Sequence, residues 1–211
     1  MKDISLQYIS QGATPKEHLK NIREVCEAGG RWIQLRLKDT DMATYLNSAM
    51  QCREICDQYN TIMIINDNVG VAKAAMADGI HLGLNDMNPN EARRILGDNF
   101  IIGGTANTIE DCIQHSEDGV DYIGLGPFRY TKTKKKLSPI LGVDGCQNIV
   151  SEFRTQNSEI PIIAIGGIIE SDIKDLIQIG VSGVAISGML TNQEDLEEKI
   201  QNIKKHMASQ S

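Results

Sequence analysis

Short apolar runs alternate with longer amphipathic stretches from one end of the 211-residue chain to the other. The runs are Leu6–Ile9, Trp32–Leu37, Ile62–Ile65, Ile80–Leu82, Phe100–Ile102, Tyr122–Leu125, Ile162–Ile165 and Val184–Ile186. Most are apolar at nearly every position, the pattern of parallel strands covered by helices and not of strands with one wet face. Eight strands joined by helical crossovers of the usual right hand close most naturally into a (β/α)8 TIM barrel. The expectation is one such domain over residues 1–211, with an unpacked tail from about residue 207. The alternative is an open, doubly wound sheet. It would carry a glycine-rich turn after its first strand, and Ser10-Gln11-Gly12-Ala13 is a poor version of that turn.

Local punctuation supports the alternation. Thr14-Pro15-Lys16-Glu17 combines an N-cap, a proline at the first helical position and the glutamate of a capping box. Asn88-Pro89-Asn90-Glu91 repeats the pattern, and Thr108 with Asp111 is a weaker form of it. Gly29-Gly30, Gly79, Gly119 and Gly180 precede the second, fourth, sixth and eighth strands. Each is expected to take the left-handed conformation that ends a helix, as in a tandem βαβα unit.

A formal net charge of -7 sets the surface against nucleic acid and anionic membrane, so an anionic ligand needs a local basic cluster. The five cysteines are odd in number and scattered; only Cys52 and Cys56 share a helix face, with no CxxC or histidine pair to complete a zinc set. They read as reduced, buried thiols, which points to a reducing compartment and a cytoplasmic location. No apolar leader follows Met1, and the longest apolar stretch, Ile160 to Ile169, is interrupted by Gly166-Gly167 and too short to span a bilayer.

In a barrel of this kind chemistry belongs at the carboxyl ends of the strands. Alternation in Gln34-Leu35-Arg36-Leu37-Lys38 places Gln34, Arg36 and Lys38 on one face and Leu35 and Leu37 on the other. Inward-facing cations need an anionic partner. That partner is either a carboxylate across the barrel or a pyrophosphate, which arginine grips bidentately. Asn66-Asp67 and Asn85-Asp86 put two carboxylates at neighbouring strand ends. They suit salt bridges, or Mg2+ completed by water and substrate phosphate, or each in turn. After the sixth strand, Gly126 to Lys136 is the most basic stretch of an acidic protein, in a loop running to about Gly142. A nucleic-acid patch would need a second basic stripe and more than 4% aromatic residues, so a loop closing on a phosphate is favoured. Ile165-Gly166-Gly167-Ile168 and Ile186-Ser187-Gly188 offer bare backbone amides where barrels commonly seat a phosphate. One cationic and one amide-built anion site at a single rim argue for an enzyme that joins two phosphorylated substrates. His81, within a strand, reads as a packed residue.

Gln34-x-Arg36-x-Lys38, Asn66-Asp67, Gly79-Ile80-His81-Leu82-Gly83 leading to Asp86, Thr131-x-Thr133-Lys134, Ile165-Gly166-Gly167-Ile168 and Ile186-Ser187 together resemble the thiamine phosphate synthases. The resemblance implies a transferase that couples hydroxymethylpyrimidine diphosphate to hydroxyethylthiazole phosphate and releases pyrophosphate. It implies that Gln34, Leu35, Arg36, Leu37, Lys38, Asn66 and Lys134 surround the pyrimidine diphosphate, and that Asp67 and Asp86 hold Mg2+. Thr131, Lys132, Thr133, Gly167, Ile186 and Ser187 would surround the thiazole phosphate and the released pyrophosphate. Arg36, Thr105 and Lys134 would act in the chemistry, Thr105 standing where the family has a serine. Leu84 and Asn107 also depart from the family pattern, at positions that often hold glutamine and histidine. The implied partners are small phosphorylated molecules, with no nucleic acid or membrane; homo-oligomerisation is left open. The rival readings are the related thiazole tautomerases and a non-catalytic phosphate-binding barrel. The intact acidic pair and the Gln-x-Arg-x-Lys spacing speak against both.

Overall fold

Residues 5–130, 139–156 and 158–208 are described by the computed structural model. Among them run strands β1 (Leu6–Ile9), β2 (Trp32–Leu35), β3 (Ile62–Asn66), β4 (Gly79–Leu82), β5 (Ile101–Ala106), β6 (Tyr122–Leu125), β7 (Ile162–Ile165) and β8 (Gly183–Ile186). Every neighbouring pair is parallel, in chain order, and β8 returns to β1 to close the barrel. Outside lie helices α1 (Pro15–Glu27), α2 (Met42–Gln58), α3 (Val69–Ala74), α4 (Pro89–Leu96), α5 (Ile109–Glu117), α6 (Gly142–Thr155), α7 (Ile173–Ile179) and α8 (Leu196–Ala208). The fold is the (β/α)8 barrel implied by the alternation.

Strand alternation sorts side chains into two apolar layers. The larger lies between sheet and helices and takes Leu35, Ile65, Ile80 and Val184 with the inner faces of the helices. The smaller fills the barrel, with Ile9, Trp32, Ile64, Tyr122, Ile163 and Ala185. There the edge of Trp32 meets Tyr122, ring centroids 5.0 Å apart. Each buried aliphatic side chain contributes roughly 1.5–3 kcal/mol by leaving water. All five cysteines are free and buried, in keeping with small hydrophobes. Among the described residues no helix is long and apolar enough to cross a membrane.

The structure differs from the sequence expectation in four places. Strand β2 stops at Leu35, because the Arg36 N–H turns to the Ser10 hydroxyl (3.0 Å), away from the ladder, and the chain bends at Asp39 (φ 55°). Strand β5 continues through Gly103-Gly104, which looks like a turn in sequence. A Cβ at Gly103 would sit 2.1 Å from the Tyr122 ring, and one at Gly104 would sit 2.5 Å from that of His115, so these glycines make room for rings instead of bending the chain. Gly29, Gly119 and Gly180 do take positive φ, but Gly79 belongs to β4 and Met76 (φ 50°) makes that turn. Gly97 (φ 92°) ends α4 before an odd-numbered strand, so the tandem βαβα pattern is not real. Finally, α8 reaches Ala208 with Met207 buried, so residue 207 belongs to a packed helix and not to a tail.

Candidate active site

A cavity of about 740 Å³ opens at the carboxyl ends of the strands. Gln34, Arg36, Lys38, Asn66, His81, Thr105, Gly167, Ile186 and Ser187 all line it, drawn from strand ends or loops spread across the barrel. The cavity does not include Leu35 or Leu37. The side chains of both are buried in the outer layer, away from the cavity. Thr131, Lys132, Thr133 and Lys134 lie outside the described residues.

On one side, the Lys38 ammonium pairs with the Asp67 carboxylate, so the salt-bridge alternative holds for this cation. Asp67 has left-handed backbone (φ 64°), fixed by its N–H donating to the His81 carbonyl (2.9 Å). Aspartate tolerates that region better than most residues. The Tyr45 hydroxyl lies 2.8 Å from the Asn66 carbonyl and 3.1 Å from that of Leu35, which ties the ends of β2 and β3 together. Asp86 accepts from the Gly83 N–H (2.6 Å) and reaches Asp67. Lost hydration, then the neighbouring Asp67 carboxyl, push its pKa up to about 6, although much of the residue is exposed. Neither carboxylate is among the residues that line the cavity; Asp67 is linked to it through Lys38, and Asp86 through Asp67.

Opposite them, Gly166 (φ 99°) and Gly167 (φ 70°) form a turn next to Ser187-Gly188. Side chains rarely adopt such φ values, and a Cβ on Gly166 would lie 2.9 Å from Pro127. A buried polar chain crosses the barrel interior. The Thr105 hydroxyl is 2.9 Å from His81 Nε2, and His81 Nδ1 is 3.0 Å from the Tyr122 hydroxyl. Gln7 donates to that hydroxyl (3.3 Å) and accepts from the Gln34 amide (3.3 Å). His81 is packed, as expected, but it also faces the cavity and holds Thr105.

Ser10, Gln11 and His18 line the same cavity and were not picked out in sequence. Ser10 Oγ accepts the Arg36 N–H and lies 2.8 Å from His18 Nδ1, while Gln11 Oε1 accepts from Ser187 Oγ (3.1 Å). Burial, reinforced by the charge of Arg36, holds His18 below its ordinary value and favours the neutral ring. The available signal was three small or polar residues directly after an apolar strand, Ser10-Gln11-Gly12.

Among the described residues no group of three or more His, Cys, Asp or Glu is placed to hold a metal. Two adjacent carboxylates without a third suit a cation that draws its remaining ligands from water and a phosphorylated substrate, and not one held in a closed protein cage.

The thiamine monophosphate synthase family model matches residues 6–190. A thiamine-phosphate synthase of Flavobacterium psychrophilum is 48% identical over 202 residues, 96% of this chain and 98% of that protein. The thiamine-phosphate synthase of Bacteroides thetaiotaomicron is 43% identical over 192 residues, 91% and 92% of the two chains. The solved thiamine phosphate pyrophosphorylase of Pyrococcus furiosus superposes with a TM-score of 0.83 at 27% identity, over 98% of this chain and 96% of that one. A 3-hexulose-6-phosphate synthase, at TM-score 0.69 and 11% identity, shares the fold alone. By family match, full-length relatives and barrel alike, the chain belongs to the thiamine monophosphate synthase family of transferases.

Proposed function

We propose that the cavity is where this chain performs the synthase reaction of its family, with the two substrates seated on opposite walls. The single observation that carries this reading is one cavity with cationic side chains, Arg36 and Lys38, on one wall and a glycine-built turn on the other. On the cationic wall, Gln34, Arg36, Lys38 and Asn66 would bind the pyrimidine diphosphate. On the other, Gly167, Ile186 and Ser187 would bind the thiazole phosphate through backbone amides and one hydroxyl. Lys134 and the Thr131 to Thr133 segment would complete both, as the family resemblance implies.

The chemistry follows from where charge moves. The bond between the pyrimidine methylene carbon and the diphosphate oxygen breaks, and its electron pair leaves with the diphosphate. Arg36 and Lys38 offset that growing charge in a cavity that limits water, where preorganised cations act most strongly. The thiazole nitrogen then attacks the methylene carbon to form the new carbon–nitrogen bond. Thr105, held by His81, and Gln34, held through Gln7, orient the pyrimidine ring between them. No protein nucleophile is required. The Ser10 hydroxyl accepts the Arg36 N–H and serves to place that residue.

Asp67 and Asp86 would hold Mg2+, and their side-by-side placement, with Lys38 paired to Asp67, fits a divalent cation. Bound there, the ion supplies charge neutralisation to the departing diphosphate. Until then Lys38 keeps Asp67 in place. With Mg2+ and both substrates the purified protein should release pyrophosphate, and it should stop when EDTA is added or either substrate is left out. Absence of pyrophosphate in the complete mixture would overturn the reading.

A further inference from the structure

We propose that Arg129 and Asp172 are positioning residues for the monophosphate wall, forming a clamp that sets the Gly166-Gly167 turn with its amides towards the cavity. The inference rests on the reading of that turn as a phosphate site. In sequence Arg129 is the first cation of the basic stretch after β6 and would pass for an anion ligand. Its geometry gives it a different task.

The Arg129 guanidinium makes a two-pronged fork on Asp172, Nη1 to Oδ2 at 2.6 Å and Nη2 to Oδ1 at 2.8 Å. Nη1 also donates to the Gly167 carbonyl at 2.7 Å. Asp172 is largely buried and anchored from behind, its Oδ2 accepting the Ile169 N–H (2.9 Å). The adjacent guanidinium holds the Asp172 carboxyl below the usual range, so the pair is ionised and nearly neutral as a unit. A fork of this kind fixes orientation as well as distance, which a lysine would not do.

The backbone completes the clamp. Phe128 and Arg129 donate their N–H groups to the Ile165 and Gly166 carbonyls at 2.9 and 2.8 Å. The carbonyls of both Gly166 and Gly167 are thus drawn towards the segment after β6. In a planar trans peptide the following N–H points the opposite way. The N–H groups of Gly167 and Ile168 are therefore turned away from Arg129, and both residues line the cavity. Successive amides turned to one side form a concavity suited to an anion. Without the fork the Gly167 peptide is free to rotate, and a rotated carbonyl would repel phosphate where an amide attracted it.

The test uses calorimetric titration of the full chain, as wild type and as the Arg129→Ala, Asp172→Asn and double variants, with hydroxyethylthiazole phosphate and separately with the pyrimidine diphosphate. Each single variant should bind the thiazole phosphate roughly tenfold more weakly or worse, as expected when a contact is misplaced by a fraction of an ångström. Affinity for the pyrimidine diphosphate should stay within about twofold, and the double variant should be no worse than the poorer single one, the mark of groups acting as one unit. Equal weakening for both ligands would mean a general structural role and overturn the proposal, as would unchanged thiazole-phosphate binding. Tighter binding by Asp172→Asn would make the freed Arg129 a direct ligand and overturn it too. If the wild type fails to bind thiazole phosphate, the reading of the wall falls and the clamp falls with it. Wild-type binding with unaltered variants removes the clamp alone.

Discussion

Asp86 has lost hydration and sits against a second carboxylate, and its pKa rises to about 6 as a result. A carboxyl whose folded value lies above its unfolded one costs stability as pH rises from the ordinary carboxylate range to about 6, and the cost is constant above that. Asp86→Asn keeps an oxygen for the Gly83 N–H but removes the charge. The variant should therefore melt higher than wild type at pH 7–8, with the advantage shrinking below about pH 6, while losing Mg2+-dependent coupling. Scanning calorimetry across pH beside the pyrophosphate assay checks both halves; a variant that melts lower at neutral pH would assign Asp86 to structure. Residues such as this were legible because the sequence shows them twice, as Asn66-Asp67 and Asn85-Asp86. Gln34, Arg36 and Lys38 were legible through strand alternation, and the same alternation sends the Leu35 and Leu37 side chains to the outer layer. Ser10, Gln11 and His18 stayed hidden because their role depends on contacts across β1, β2 and β8 that no local pattern encodes. Arg129 was legible as a cation but not as a clamp, since Asp172 lies 43 residues further on.

The elements themselves came through in proportion to how local their causes are. The end of β6 and both ends of β7 follow from apolar runs bounded by turn residues. The capping box at Thr108 and Asp111, the weaker of those expected, is complete, whereas the Glu17 carboxylate reaches the Ala13 N–H (2.7 Å), one residue before its Thr14 cap. Strand β5 outlasts its apolar run, Phe100–Ile102, because Gly103 and Gly104 make room for the rings of Tyr122 and His115, which no local pattern shows. That difference yields a prediction. Gly29 has φ 97° with open space around its missing Cβ, so Gly29→Ala meets only backbone strain of about 1 kcal/mol. Gly103→Ala must displace a fully buried ring, at roughly 1–3 kcal/mol or more. For a chain of this length the first should lower Tm by about 2–4 °C and the second by visibly more. Equal shifts would mean that Tyr122 yields without cost.

At the level of the whole barrel, closure was readable from the count of strands, and closure is what brings distant segments to one mouth. Strands β2, β3 and β4 feed the carboxylate and cation wall, β7 and β8 feed the glycine wall, and the Thr105 to Gln34 hydrogen-bond chain runs through β5, β4, β6, β1 and β2. Two walls built from different segments should bind two anions independently, and each ligand that binds only the folded state raises stability by mass action. At a hundredfold excess over its dissociation constant a ligand contributes about 2.7 kcal/mol, which for this chain length is several degrees of Tm. Pyrophosphate with Mg2+ should give one such rise, cancelled by EDTA. Thiazole phosphate should give another that EDTA leaves intact. Together the two shifts should add to within about 0.5 kcal/mol, as expected if the two walls share no residue that decides binding, the 131–134 segment included. A combined shift no larger than the greater of the two would show both anions competing for one wall, and the division of the mouth into a metal-assisted side and an amide-built side would not survive it.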